Sequence, residues 1–380
     1  MPELFAGIGA VVTGYVVPAL VVLTVVVYVH EMGHFLVARW CGIRVAAFSI
    51  GFGRELVGYT DRRGTRWKLS LVPLGGYVRF EGDENAASLP DADAMAATPL
   101  AAREGLFHFA SVWKRAAVVA AGPLANFLLA IVVFAGLFTT IGRPTSVPRA
   151  DEVVAGSPAD RAGIQPGDRI VSIDGRQIES FSELQSIVML ATGEPLAIVV
   201  QRGSQTLEMV ATPERQERPD GMGGTQRIGV LGISRTLGAG DVVFERTTLL
   251  TAIPAGVAET WNISERTLTY IGRLFTGRET ADQLTGPIRV AQISGIVAST
   301  GGLPGFIHLL AVLSVSIGLF NLFPVPMLDG GHLAFYLVEA LRGRPLSPRF
   351  QELGFRIGFA LVIFLFIFVT FNDITNLGGT

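Results

Sequence analysis

The sequence predicts a multi-span α-helical membrane protein. It has four transmembrane helices, a membrane-associated β-hairpin region and a β-rich domain inserted between spans two and three. Three observations carry this. Apolar residues make up 49% of the 380 residues and charged residues only 16%, where a soluble domain carries about 25% charged. The apolar residues gather in four long blocks rather than spreading evenly. Between the middle blocks, short β-type runs alternate with Gly- and Pro-rich turns.

The blocks run from about Gly14 to Leu36, Ala116 to Thr139, Phe306 to Phe323 and Ile357 to Phe371. A helix needs about 20 residues to cross a 30 Å hydrocarbon core, so the last block spans only with its flanks. Backbone groups in lipid must satisfy one another, which makes helices the default. The loop between the first two spans holds Arg39, Arg44, Arg54, Arg62, Arg63, Arg66, Lys68, Arg79, Arg103, Lys114 and Arg115. The loop between spans three and four holds Arg342, Arg344, Arg349 and Arg356, whereas Met1–Ala6 has no basic residue. The positive-inside rule puts both loops in the cytoplasm, and both termini and the segment of roughly 140–300 outside. A net charge of -2 gives no basic surplus for nucleic acid. The single cysteine, Cys41, excludes an internal disulfide and a thiolate metal cluster.

Residues 1–140 form the first membrane part, and the loop 44–80 within it reads as a β-hairpin. Val45–Leu56 and Thr65–Phe80 alternate imperfectly around the turn Asp61-Arg62-Arg63-Gly64. The pair Gly75-Gly76 allows close backbone approach. Residues 141–212 read as a small β-rich domain, with a helix over Phe181–Met189 capped by Ser180 or Ser182. Its string Gly156-Ser157-Pro158-Ala159, Ala162-Gly163-Ile164-Gln165-Pro166-Gly167-Asp168-Arg169-Ile170 and Ile173-Asp174-Gly175 resembles the bacterial PDZ family. That resemblance implies binding of a peptide or protein terminus by strand addition. Residues 213–300 are a linker, Thr212–Gly224, followed by a membrane-proximal region with a helix over Glu259–Leu274. Residues 301–380 form the second membrane part.

Span one ends in His30-Glu31-Met32-Gly33-His34. Positions i and i+4 share a helix face, so both imidazoles can hold one metal ion, with Glu31 placed to take a proton from its water. Ionisable groups in an apolar span are expensive and usually functional. Zinc needs a third protein ligand and an open position. Asp329, in the string Asn321 to Gly331 after span three, is the candidate; two prolines there break the helix and let it turn inward. His332 reads as structural, since a fourth ligand would close the site. Span two carries Gly122-Pro123-Leu124-Ala125-Asn126. Asn126 and Asn321 read as flanking the metal and holding an unwound peptide backbone. Gly75 and Gly76 belong to a hairpin edge that clamps the same strand by β-addition.

Together these strings resemble the site-2 protease family of intramembrane zinc metalloproteases (peptidase family M50). The bacterial regulator-of-sigma-E protease subgroup is the most similar. Leu284-Thr285-Gly286-Pro287-Ile288 also resembles a family segment. The resemblance covers nearly the whole chain, with a single PDZ-like insert. It implies a zinc-dependent endopeptidase, with one catalytic Zn2+, in the bacterial inner membrane. Its active site faces the cytoplasmic side, with the PDZ domain and both termini periplasmic. The implied partners are the lipid bilayer and single-span membrane proteins already trimmed by another protease, such as anti-sigma factors, or leftover signal peptides. Two other readings fit metal ligands in a span. A divalent-metal transporter would want ligands repeated at several depths. A non-catalytic scaffold displaying the PDZ module would not need Glu31.

Overall fold

The computed structural model describes residues 9, 11–82, 98–99, 103–145, 147–219, 225–235, 243–245, 247–277 and 284–377. Met1–Ala6 and residues 220–224 of the expected linker lie outside them. The chain runs through helix α1 (Val17–Trp40), strands β1 (Val45–Thr60) and β2 (Arg66–Phe80), and helix α2 (Val112–Thr140). A strand-rich stretch follows, with β3 (Arg169–Ile173), β4 (Arg176–Gln177), α3 (Phe181–Leu190), β5 (Leu196–Arg202), β6 (Gln205–Ala211), β7 (Glu214–Pro219) and β8 (Thr225–Val230). Helices α4 (Leu249–Phe275), α5 (Pro287–Thr300), α6 (Gly302–Asn321), α7 (Asp329–Arg342) and α8 (Pro348–Leu377) complete it.

Four stretches are long and apolar enough to cross a membrane: Val12–Trp40, Val112–Thr140, Gly302–Asn321 and Pro348–Thr375. These are the four expected spans. The third begins before the apolar block and ends short of Phe323, the latter because Pro324 and Pro326 cannot continue a helix. The chain divides into two compact units. One comprises the described residues of Met1–Ala135, Ile253–Thr269 and Thr285–Asp373; the other those of Gly136–Ala252, Tyr270–Leu284 and Ile374–Thr380.

In the first unit, α1 stops sharply after Trp40. Gly42 takes φ +79°, the N–H of Gly42 bonds to Arg39 O, and that of Ile43 to Ala38 O. This left-handed glycine cap satisfies the last carbonyls and turns the chain into β1. The expected hairpin is present, with Asp61 Oδ1 accepting from the backbone N–H groups of Arg63 and Thr65 in its turn. Its pairing is more involved than a simple ladder. Phe48 pairs with both Trp67 and Val78, and Ile50 with both Leu69 and Gly76. Register shifts therefore fold the end of β2 back along β1. Phe35, Phe48, Phe80, Phe107 and Val118 close a buried core beneath it.

The helices meet at small residues, as lipid-embedded helices do. A Cβ on Gly33 would collide with the backbone of Ala121 in α2, and one on Gly318 would stand 3.1 Å from Asn126 Cβ. Arg115 at the start of α2 bonds Glu339 of α7 at 2.5 Å and lies over the Tyr336 ring.

The second unit has its own core, including Ile170, Ile173, Leu184, Ile198 and Val200. Its main sheet has the order β4-β3-β5-β6. Ser180 caps α3 by accepting from the Glu183 N–H. Asp168 is buried and forms a two-pronged ion pair with Arg202. The expected linker needs correction: Glu214–Pro219 is a strand, paired antiparallel with Thr225–Val230. Its Pro and charged composition gives poor intrinsic strand preference, and the partner strand supplies what the composition lacks. The helix expected over Glu259–Leu274 is longer, Leu249–Phe275, because Pro254 in its second turn does not stop it.

Asp373 near the end of α8 accepts hydrogen bonds from the backbone N–H groups of Gly286, Ile288 and Arg289, each at 3.0 Å. It caps α5 from 87 positions away, and Gly286 leaves room for it, since a Cβ there would press on Asp373 and Val369 O. Asp373→Ala removes the acceptor that these three N–H groups share at the start of α5. It is expected to destabilise the protein by about 2 kcal/mol, read as a lowered thermal unfolding midpoint in detergent. An unchanged midpoint would show that the cap contributes nothing.

Candidate metal centre

His30 and His34 lie on one face of α1, both buried. Their Nε2 atoms stand 3.2 Å apart. Asp329 Oδ2 lies 3.1 Å from His30 Nε2 and 3.5 Å from His34 Nε2. These three residues are the one group of potential metal ligands found among the described residues. The expected ligand set is therefore brought together from helices almost 300 positions apart in sequence.

The turn before α7 explains how Asp329 reaches the site. The chain leaves α6, passes Pro324-Val325-Pro326, and takes φ +110° at Met327, a conformation strained for any residue but glycine. Gly330 and Gly331 pack so tightly on the backbone of Leu322, Phe323, Val325 and Pro326 that a Cβ at either would collide. The two glycines are thus required by the turn that aims Asp329.

The triad fits a zinc ion on three grounds. Ligands bound at 2.0–2.1 Å in a tetrahedron are separated by about 3.3 Å, close to the three distances here. Asp329 Oδ2 is buried and receives no hydrogen bond, so it needs a cation. A Cβ on Gly122 would collide with His34 Nε2 and crowd His30, so α2 leaves open the space in which the ring nitrogens meet. Glu31 follows His30 on α1 and packs against β2, where a Cβ on Gly76 would stand 3.3 Å from its Cγ.

The M50 peptidase family model matches residues 18–365. This chain belongs to peptidase family M50. Among curated relatives, a provisionally named zinc metalloprotease of Agrobacterium fabrum is 50% identical over 367 residues, covering 97% of both chains. One of Rhizobium meliloti is 49% identical, covering 96% of this chain and 98% of the relative. The metalloprotease MmpA of Caulobacter vibrioides is 43% identical, covering 95% of both chains.

Within this M50 peptidase the other expected residues are placed as follows. Asn126 is fully buried, its amide 3.3 Å from His30 Nδ1. Asn321 ends α6 and donates from Nδ2 to Ile317 O, along its own helix. Gly76 lies against Ser49 O and Glu31 Cγ, and Gly75, at φ +128°, against the Phe52 ring. His332 lies outside the triad, its ring packed near Phe355 and Tyr336. Sequence reading missed Val118 and gave Gly122 no role of its own. The Val118 carbonyl meets His34 Nδ1 at 2.8 Å. A backbone carbonyl leaves no signature in a side-chain pattern; the i, i+4, i+8 spacing of Val118, Gly122 and Asn126 was the available signal.

Gly122→Ala places a methyl group among the ligand atoms. We expect metal affinity to fall by about tenfold, the scale seen when supporting positions of metal sites are lost, measured by chelator competition on purified protein. Unchanged affinity would mean that the site does not depend on this gap.

Proposed function

We propose that this protein is a zinc-dependent intramembrane endopeptidase that cleaves the membrane segments of single-span proteins. The observation that carries this reading is the convergence of His30 and His34, on the membrane-length helix α1, with Asp329 at the start of the shorter α7, Glu31 standing next to His30 in the chain. His30, His34 and Asp329 would hold one zinc ion. When bound, zinc supplies Lewis acidity, polarising the scissile carbonyl and acidifying a water. Glu31 takes the proton of the attacking water on its carboxylate and delivers it to the leaving amine. β2 packs beside Glu31 through Gly76.

A helical substrate hides its carbonyls in its own hydrogen bonds, so it must be unwound before attack. The Gly76–Phe80 end of β2 pairs with β1 along one side. Its other edge would take the unwound strand by β-addition, with Gly75 and Gly76 keeping that edge close to Glu31. Asn126 and Asn321 would hold the substrate backbone.

The second unit supports a PDZ-like role. A groove of about 110 Å³ lies between α3 and residues 228–233, lined by Phe181, Leu184 and Val188. An extended peptide terminus would lie there as an added strand. The fourfold span pattern and the arginine distribution favour the bacterial inner membrane, with the centre toward the cytoplasm and the PDZ-like unit and both termini in the periplasm. Substrates would arrive already trimmed by another protease, anti-sigma factors and remnant signal peptides among them. A single ligand cluster among the described residues, with a carboxylate beside it, favours hydrolysis over metal transport.

Two variants test the chemistry. Glu31→Gln keeps the ligands and removes the base, so zinc should remain bound while cleavage of a tagged single-span protein falls by at least about a hundredfold. Normal cleavage by this variant would sink the assignment. Asp329→Ala should lower zinc stoichiometry in metal analysis, and full occupancy would remove Asp329 from the ligand set.

A further inference from the structure

The zinc reading above demands something specific of each histidine. Both imidazoles present Nε2 to the triad, so each ring must be bare at that nitrogen. A neutral imidazole carries one N–H, which must then sit on Nδ1 and be held there by an acceptor. For His34 the backbone provides this: Nδ1 lies 2.8 Å from the Val118 carbonyl, which can only accept. For His30 the neighbour at Nδ1 is the Asn126 amide, at 3.3 Å.

Asn126 is 0% exposed, and its Oδ1 is buried with no hydrogen-bond partner. The amide oxygen and nitrogen are nearly equal in size. Turning the group end for end brings Oδ1 to His30 Nδ1 without moving another heavy atom. The orphaned oxygen then accepts the ring proton. The NH2 group faces away from the ring as a donor, the state that its proposed hold on substrate backbone requires.

The surroundings keep Asn126 in place. Its carbonyl accepts from Ser314 Oγ at 2.8 Å, and Gly318 lets α6 close against its Cβ. Val118, Gly122 and Asn126 fall at i, i+4 and i+8 on one face of α2. That face offers a carbonyl to one ring, a gap to both and an amide to the other.

We propose that Asn126 is a positioning residue that fixes His30 in its Nδ1–H tautomer, leaving Nε2 free for the metal. The inference rests on the zinc reading of the triad. The test is zinc affinity of the full-length protein in detergent, by competition with a chromophoric chelator, for wild type, Asn126→Asp, Asn126→Leu and Asn126→Ala. Asp keeps an acceptor at the same reach and should bind zinc at least as tightly as wild type. Leu, of similar size, and Ala, which is smaller and tolerant of packing, offer none; each should bind about 10- to 100-fold more weakly. Wild-type affinity in a folded Leu or Ala variant overturns the proposal, as does equal loss in Asp, Leu and Ala. Absence of zinc binding by wild type would instead overturn the zinc reading itself.

Discussion

Three lone-pair donors aimed at one point inside a helix bundle are unstable by themselves. A buried carboxylate oxygen without a hydrogen bond is penalised, and two facing ring nitrogens cannot satisfy it while both are bare. A bound cation removes the conflict for all three at once. Much of the first unit serves this convergence. Gly33 and Gly122 let α1 and α2 approach, the strained turn at Met327 aims Asp329, and the Arg115–Glu339 pair ties α7 to α2.

The hairpin solves a second problem. A general base must stand close to the metal and yet be held by something other than a ligand. The tight fit of Gly76 against Ser49 O and Glu31 brings β2 against this carboxylate. The same segment is the one whose free edge suits an unwound substrate. In the proposed mechanism, packing against Glu31 and receiving the substrate fall to a single strand.

Some of this was legible in the sequence and some was not, for physical reasons. His30 and His34 were visible because helical periodicity alone places them together. The four spans were visible because lipid demands long apolar runs, and Ser180 because capping is local. Asp329 gained meaning only beside the histidine pair, since Asp before Gly is also ordinary turn chemistry. The Val118 carbonyl, the gap at Gly122 and the Asp373 cap on α5 exist only after distant helices meet. The strand at Glu214–Pro219 reads as a linker in the sequence because its pairing with Thr225–Val230 overrides its composition. The double pairing of β1 was hidden for the same reason.

The account stands most directly on what occupies the triad. X-ray absorption at the zinc edge of the purified, active protein reads ligand type and distance together. The account predicts one zinc per chain, with two imidazole nitrogens and a carboxylate oxygen at about 2.0–2.2 Å. An active protein without zinc, or a zinc bound through the sulfur of Cys41, would contradict it.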